Sequence, residues 1–458
     1  MVIRGALTSR MTSFFLLKAI FYTVSDLLNT ATDILNLNWR GGFTIPTSKL
    51  YPFQWNWDSG FISLGLGHFN IERAISEMES LFSGQWANGM IPHIIFHDEH
   101  QSTYFPNHDF WQTSVNGGAP QKPKTSGITQ PAVHGFILEC LLNRFPENQE
   151  VKDFAKTLFP KIVSYHRFLY KHRDPGKEGL MFIFHPWESG RDNSPLWDES
   201  LNRIDVQPGD IPDYVRKDLD IADSAERPTS YQYDRYVYLL ELGKKHRYDG
   251  PGIAEESPFL IQDCHMNAIL IKSNESLIKI GKQFGWDTAE LEEWQQQSIQ
   301  SYNRKLWSEE LGMYTGFDLH TQQQLTHKEI GGLVPLYAGI PTKDQAKRLN
   351  EYLVTLSEKG YYLCPSFDPE SPFFDSKRYW RGPIWPQMNW MLYHGLAAYG
   401  FHDTADTVKN DLITLVTNLG FYEYFESQKH LADDLQKGYG GNQFSWTASS
   451  IIDLMATT

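Results

Sequence analysis

Amphipathic helical periodicity recurs along most of the 458-residue chain, and no other feature narrows the available folds as much. Ile71, Ala74, Ile75, Met78, Leu81 and Phe82 fall at i, i+3, i+4, i+7, i+10 and i+11, one stripe of a 3.6-residue repeat, with Asn70 where an N-cap belongs. Ala405, Val408, Leu412, Leu415, Val416 and Leu419 repeat the pattern, opened by Asp403 and closed by Gly420 at the C′ position. Comparable stripes lie near 131–145, 151–171, 231–245, 264–285, 288–307, 342–356, 384–400 and 445–456. Segments at 14–29 and 57–69 bring the total to about a dozen helices, and convincing strands are few. The expected fold is all-α, built of antiparallel pairs stacked in sequence. No linker, charge block or low-complexity tract divides the chain, so residues 1–458 are expected to form one domain.

Between the helices lie long loops rich in Gly, Pro, Trp and Tyr: 39–57, 84–130, 175–230, 359–383 and 421–443. Structureless connections of that length usually do something, so the functional residues are expected on loops at one end of a rigid scaffold. The chain carries 28 Phe, 23 Tyr and 14 Trp and a formal net charge of −14. That charge repels phosphate backbones and anionic lipid, arguing against nucleic-acid or membrane partners. Abundant Trp and Tyr on an acidic chain suit either a large core or the stacking of rings on uncharged sugar faces. Cys140, Cys264 and Cys364 stand far apart without a CxxC pair, which suggests neither a zinc cage nor a disulfide framework and suits the cytoplasm. The apolar run 14–22, broken by Lys18, is too short to span a bilayer and reads as the start of the first core helix. Pro383, Pro386, Gln387, Asn389 and His394 likewise interrupt the uncharged stretch 382–401.

The strongest local signal is HPWESGRDNSPLWD at 185–198, where Glu188, Asp192 and Asp198 crowd against two Trp while Gly190 and Pro195 prevent a continuous helix. Carboxyls beside bulky aromatics lose hydration, which raises their pKa and lets one stay protonated near neutrality, ready to protonate a leaving oxygen. A solvated acidic loop is the plain alternative. A second carboxylate, Glu423 in GFYEYFE, follows a helix end and is flanked by Phe421, Tyr422, Tyr424 and Phe425. Two such groups roughly 6.5–9.5 Å apart would leave room for a water and invert an anomeric centre. A third cluster, YPFQWNWDSGF at 51–61, offers Trp55 and Trp57 as stacking faces and Asp58 as an acceptor for sugar hydroxyls, or simply a helix cap. A fourth, RYWRGPIWPQMNW at 378–390, places Tyr379, Trp380 and Arg381 ahead of a helix. His93 and His97 form HxxxH without the Glu or third ligand that a zinc site needs. Asp263 and His265 are expected to make local hydrogen bonds. No dinucleotide fingerprint, phosphate loop or nucleophile elbow is present.

WESGRDNSPLWD, YPFQWNWDSGF, TSGITQP at 125–131, RPTSYQYDRYVYLLE at 227–241, YWRGPIW at 379–385, and FYEYF followed by QFSWTAS at 443–449 together resemble glycoside hydrolase family 63. The likeness runs in order from about residue 50 to 455 and is closest to the small single-domain branch of mannosylglycerate and glucosylglycerate hydrolases. It implies an (α/α)6 barrel, no metal or organic cofactor, and inverting hydrolysis of an α-glycosidic bond to D-glycerate. Carried over residue by residue, Asp192 matches the general acid and Glu423 the general base. The sugar pocket would include Trp55, Trp57, Asp58, Tyr379 and Trp380, with Gln443 a further contact. Tyr51, Gln130, Arg227 and Tyr233 match aglycone positions. A guanidinium can grip a glycerate carboxylate bidentately; the plainer role for Arg227 is a pair with Asp223 or Glu226. Departures are the long, charged SQKHLADDLQKGYGG segment after the Glu423 motif, Ala132 in place of a second Pro, and Gly60 where Ala is frequent. The first of these bears on the pocket mouth and the aglycone.

The nearest rival reading is an α-glucosidase of the same fold acting on a neutral glucoside or short oligosaccharide. A catalytically silent sugar-binding protein is a different class, which the pairing of Asp192 with Glu423 argues against. A helical-toroid lyase would want a Tyr or His base. A small sugar is the expected partner, and a homo-oligomer is compatible with the chain. Glucose and mannose differ in one hydroxyl, and sequence does not choose between them.

Overall fold

The computed structural model describes residues 24–97, 104–432 and 435–456. Six inner segments close on themselves: Asn56–Leu66, His134–Arg144, Cys264–Phe284, the paired 3-10 turns Ile330–Gly332 and Val334–Leu336, Pro386–Ala398 and Ser445–Ala456. Each packs on the next, and the last packs on the first. An outer helix backs five of them: Ile71–Ser83, Gln149–His172, Ala289–Lys305, His402–Leu419 and Val24–Asn38. The sixth outer helix, Lys343–Glu358, follows the 3-10 turns and packs against His402–Leu419. This is an (α/α)6 barrel.

The inner helices explain why amphipathic stripes reveal only half of such a fold. Every residue of Asn56–Leu66 is buried, so this helix is covered all round and has no solvent face to set its period. The outer helix Ile71–Ser83 buries one stripe, and its Asn70 cap accepts from the Arg73 N–H at 3.0 Å as expected.

Three expectations are corrected. The part of the 14–29 segment before residue 24 lies outside the described residues. The helix there runs on to Asn38 because Leu27, Ala31, Ile34 and Leu35 continue its buried stripe. Asp403 sits within the first turn of His402–Leu419 and does not cap it; the cap position is Phe401. The stripe at 231–245 does form a helix, Ser230–Lys245, but it lies on the 185–204 segment and takes no place in the ring. There the Tyr236 hydroxyl donates to the Asp192 carbonyl at 2.8 Å and Arg235 Nε to the Leu201 carbonyl at 3.1 Å. The sixth inner position falls instead to the 3-10 turns, whose Gly331, Gly332 and Pro335 erase helical periodicity.

Short antiparallel pairs occupy the long loops. Gln54–Trp55, Ile94–Phe96 and Lys124–Thr125 make one small sheet, and Tyr422–Phe425 pairs with Gly438–Asn442. Trp57 and Asp58 open one inner helix and Trp446 another, while Gln130 and Tyr379 stand just ahead of two more. The loops thus meet at the N-terminal ends of the inner helices. Among the described residues, no helix is long and apolar enough to cross a membrane.

Candidate active site

The 185–198 loop sorts its acids by partner. Glu188 is fully buried and held by the Arg173 guanidinium at 2.8 and 3.0 Å and by the Phe184 N–H at 3.0 Å. Asp198 receives the Arg381 fork at 2.6 and 3.1 Å. The Asp192 carboxyl has neither an ion pair nor a hydrogen bond from another side chain among the described residues. Its backbone, by contrast, is clamped. Trp197 Nε1 donates to the Arg191 carbonyl at 2.7 Å, and Arg191, wholly buried, pairs with Asp263 at 2.5 Å and with Glu329. Gly190 takes φ +69°, and a Cβ there would lie 2.7 Å from the Trp57 ring, so only glycine lets the loop close on that indole. Loss of hydration pushes the Asp192 carboxyl up to about 7; Arg227 opposes this and Glu423 adds to it.

Glu423 is held differently. It lies on the strand Tyr422–Phe425, whose partner strand slips register between Tyr439 and Asn442. The irregularity turns the Gly441 N–H onto Glu423 Oε2 at 3.1 Å. Gly440, at φ +68°, would put a Cβ 2.2 Å from the same oxygen. Oε1 accepts from the Tyr51 hydroxyl at 2.9 Å. Burial raises this carboxyl above its ordinary value, while Arg227, the Gly441 N–H and the hydroxyls of Tyr51 and Tyr379 hold it down.

Both carboxyls open into one pocket. Tyr51, Trp55, Trp57, Asp58 and Gln130 line it from one part of the chain, and Arg227, Tyr233 and Tyr379 from another. Asp58 is 3% exposed and does not cap its helix, since Trp55 holds that position; burial and Glu423 raise its carboxyl well above the usual range. Gln130 Oε1 accepts from the Trp57 N–H at 3.4 Å. The Tyr233 ring stacks on Tyr214 beneath the Arg216 guanidinium. Two expected contacts fall outside the pocket. Trp380 lies behind Trp57, stacked on Trp385 at 3.7 Å. Gln443 is exposed, and its carbonyl accepts from Asn38 Nδ2 at 2.8 Å.

Arg227 does meet an acid, but neither of those expected. Its Nε donates to Asp218 at 3.3 Å, and its Nη1 to the Tyr51 hydroxyl at 3.0 Å. Asp223 caps the turn Ser224–Glu226, and Glu226 accepts from the Gly440 N–H. The guanidinium also stacks over the Tyr379 ring at 4.3 Å. Its Nη2 has no partner among the described residues.

The pocket contains groups that sequence reasoning passed over: Tyr104, Phe105, Trp187, Asp218, Phe444 and Trp446. Trp187 and Trp446 sit inside motifs already singled out; nothing in the sequence marks Asp218. His93 lines the pocket too, stacked on Trp187, while His97 stacks on Phe43 at 3.6 Å. No group of three His, Cys, Asp or Glu that could hold a metal ion occurs among the described residues. Asp263 caps the helix Cys264–Phe284 through the N–H groups of His265 and Met266, the local bonding expected of it.

The chain matches a family model described as the mannosylglycerate hydrolase MGH1-like glycoside hydrolase domain over residues 51–447. It is 41% identical over 420 residues to the mannosylglycerate hydrolase of Thermus thermophilus, covering 92% of this chain and 98% of that one. It is 32% identical over 447 residues to the glucosylglycerate hydrolase of Mycolicibacterium hassiacum, covering 94% and 98%. The crystal structure of the family 63 mannosylglycerate hydrolase from Thermus thermophilus, in complex with Tris and D-glycerate, superposes with a TM-score of 0.87. That match has 40% identity and covers 94% of this chain and all of that one. With the family model matched over residues 51–447, and relatives and a solved barrel matched over more than nine-tenths of its length, the chain belongs to the mannosylglycerate hydrolase-like branch of glycoside hydrolase family 63.

Proposed function

We propose that this chain is an inverting hydrolase, working as one (α/α)6 domain, that cuts the α-bond between a hexose, mannose or glucose, and D-glycerate. Asp192 is the general acid: it delivers its proton to the glycosidic oxygen as the bond to the anomeric carbon breaks. Glu423 is the general base: it takes a proton from the water that attacks that carbon from the opposite face, so the hexose leaves as the β anomer. Trp55, Trp57, Asp58 and Tyr379 face the sugar, and Arg227, Gln130 and Tyr233 face the glycerate. The observation that carries the proposal is the contrast between two of the pocket carboxyls: Asp192, without a side-chain partner and pushed up to about 7, and Glu423, held by two donors. No metal or organic cofactor enters these steps. Three unpaired cysteines fit a reducing compartment, so the cytoplasm is the proposed location.

The rival, hydrolysis of a neutral α-glucoside, draws on one observation: Arg227 already spends its Nε on Asp218. Arg227 lines the pocket and its Nη2 has no partner among the described residues, so it can take a carboxylate, which favours the glyceryl substrate. The test is incubation with mannosylglycerate, glucosylglycerate, trehalose and maltose, followed by assay of free hexose. The proposal expects hexose and glycerate from at least one of the first two. Hexose from trehalose or maltose alone would transfer the assignment to the neutral-glucoside enzyme.

A further inference from the structure

The Tyr51 hydroxyl stands at the centre of three contacts. It lies 2.9 Å from Glu423 Oε1, 2.9 Å from the Tyr379 hydroxyl and 3.0 Å from Arg227 Nη1. A phenol has one proton and two lone pairs. The carboxylate can only accept and the guanidinium can only donate, so the proton goes to Glu423. The Tyr51 oxygen then accepts from Arg227 and from Tyr379. Its capacity is thereby filled, and each donor that polarises the phenol strengthens the bond it gives to Glu423. The two ends of the chain guanidinium–phenol–carboxylate, Arg227 and Glu423, are buried and Tyr51 is partly buried between them, so water dilutes these bonds less than at the surface.

We infer that Tyr51 is a positioning residue for Glu423 and relays the state of Arg227 to it, so that an anionic aglycone seated on Arg227 makes Glu423 a stronger base. This inference rests on the function proposed above. With the pocket empty, the guanidinium charge is only partly matched by Asp218, which Arg216 shares at 2.6 Å. It draws electron density from the Tyr51 oxygen, and the phenol donates strongly to Glu423. A carboxylate on Nη2 neutralises that charge, the phenol relaxes, and the Glu423 carboxylate becomes more basic when its water must be deprotonated. A neutral aglycone leaves the guanidinium charge in place and the base weak. Selectivity for a charged aglycone would then appear in kcat as well as in KM. Other groups that face Glu423 are Asp58, Asp192, Tyr379 and Tyr424, with Glu226 on the far side of the Gly440 N–H. None of them touches the aglycone guanidinium by a hydrogen bond.

The experiment compares two substrates with the same α-hexosyl group, one carrying glycerate and the other glycerol, as pH profiles of kcat. The expected result is an acid limb higher by about one pH unit on the glyceric substrate, the range over which a nearby opposite charge moves a carboxyl. In Tyr51→Phe, kcat should fall by roughly tenfold or more on the glyceric substrate, and most of the difference between the two acid limbs should vanish, leaving only the direct field of Arg227. Coincident limbs in the wild-type enzyme, or a difference undiminished in Tyr51→Phe, would overturn the relay while leaving the hydrolase reading intact. Turnover of the glycerol compound alone would overturn both. The wild-type comparison stands whether or not the variant folds.

Discussion

The two loop segments that bring carboxyls to the pocket solve opposite problems. Around Asp192 every neighbour is tied down and the carboxyl itself is left free: Glu188 goes to Arg173, Asp198 to Arg381, and Arg191 to Asp263 and Glu329. Around Glu423 the carboxylate is itself the anchor, gripped by a phenol and a backbone N–H. A carboxyl that no other residue's side-chain donor or cation pairs keeps its proton, because loss of hydration penalises only the charged form. One that accepts hydrogen bonds from a phenol and a backbone N–H is better kept ionised. Acid and base are thus distinguished by what surrounds two chemically equivalent side chains, and each segment relies on a left-handed glycine, Gly190 or Gly440, to achieve it.

The sharpest way to break this contrast is to remove each carboxyl and change the leaving group. Asp192→Asn and Glu423→Gln should each lower kcat on the glyceryl substrate by roughly 10²–10⁴-fold. An α-hexosyl fluoride needs no protonation of its leaving group. On that substrate Asp192→Asn should recover most of its loss and Glu423→Gln should not. Equal recovery in both variants would erase the distinction between the segments.

Smaller effects are expected from the glycines. Gly440→Ala drives a methyl into Glu423 Oε2 and must displace the base, so kcat should fall by roughly 10–100-fold with KM little changed. Gly190→Ala meets the face of Trp57, part of the sugar pocket, and should raise KM as well. Steady-state kinetics on purified variants separate the two patterns. Matching KM and kcat changes in both would mean that neither glycine serves its own carboxyl.

The gentlest test concerns stability. Asp192 has a folded pKa of about 7 against an ordinary 3.8, so the folded protein holds this proton more tightly than the unfolded chain does. Below about pH 4 both states are protonated and the carboxyl costs nothing. Between about 4 and 7 the unfolded chain ionises first, and stability falls as pH rises. Asp192→Asn should therefore stabilise the protein by about 4 kcal/mol at pH 8 and little at pH 4. Thermal unfolding at the two pH values checks this; a variant less stable at pH 8 than the wild type would show that the carboxyl is not strained by burial.

The same contrast shows what the sequence could reveal. The outer helices were legible because water faces one side of them, and the inner ones only in part. The ring member at 330–337 was hidden by Gly331, Gly332 and Pro335. In the 185–198 motif the sequence marked Glu188, Asp192 and Asp198 alike. What separates them are cations brought from residues 173 and 381, whose arrival depends on the closed barrel. Resemblance to the family pointed to Asp192, and the partner pattern supplies a physical reason. Arg227 teaches the same lesson. Adjacency in sequence points to Asp223 and Glu226 as its acid, but the chain folds Asp218 back onto it across a turn. Trp380 and Gln443 adjoin pocket residues in sequence, Tyr379 and Phe444, without lining the pocket themselves. A stacked indole behind Trp57 and a solvent-facing turn before Ser445 are where the backbone leaves them.

The central claim is that Asp192 and Glu423 act on opposite faces of the anomeric carbon, with a water beside Glu423. The most direct measurement is proton NMR of the hexose released in the first moments of hydrolysis of an α-hexosyl glycerate, before mutarotation mixes the anomers. The account predicts the β anomer first, with the α anomer growing in later. First release of the α anomer would mean net retention, two successive displacements and a carboxyl pair acting through a covalent intermediate, and would contradict the account.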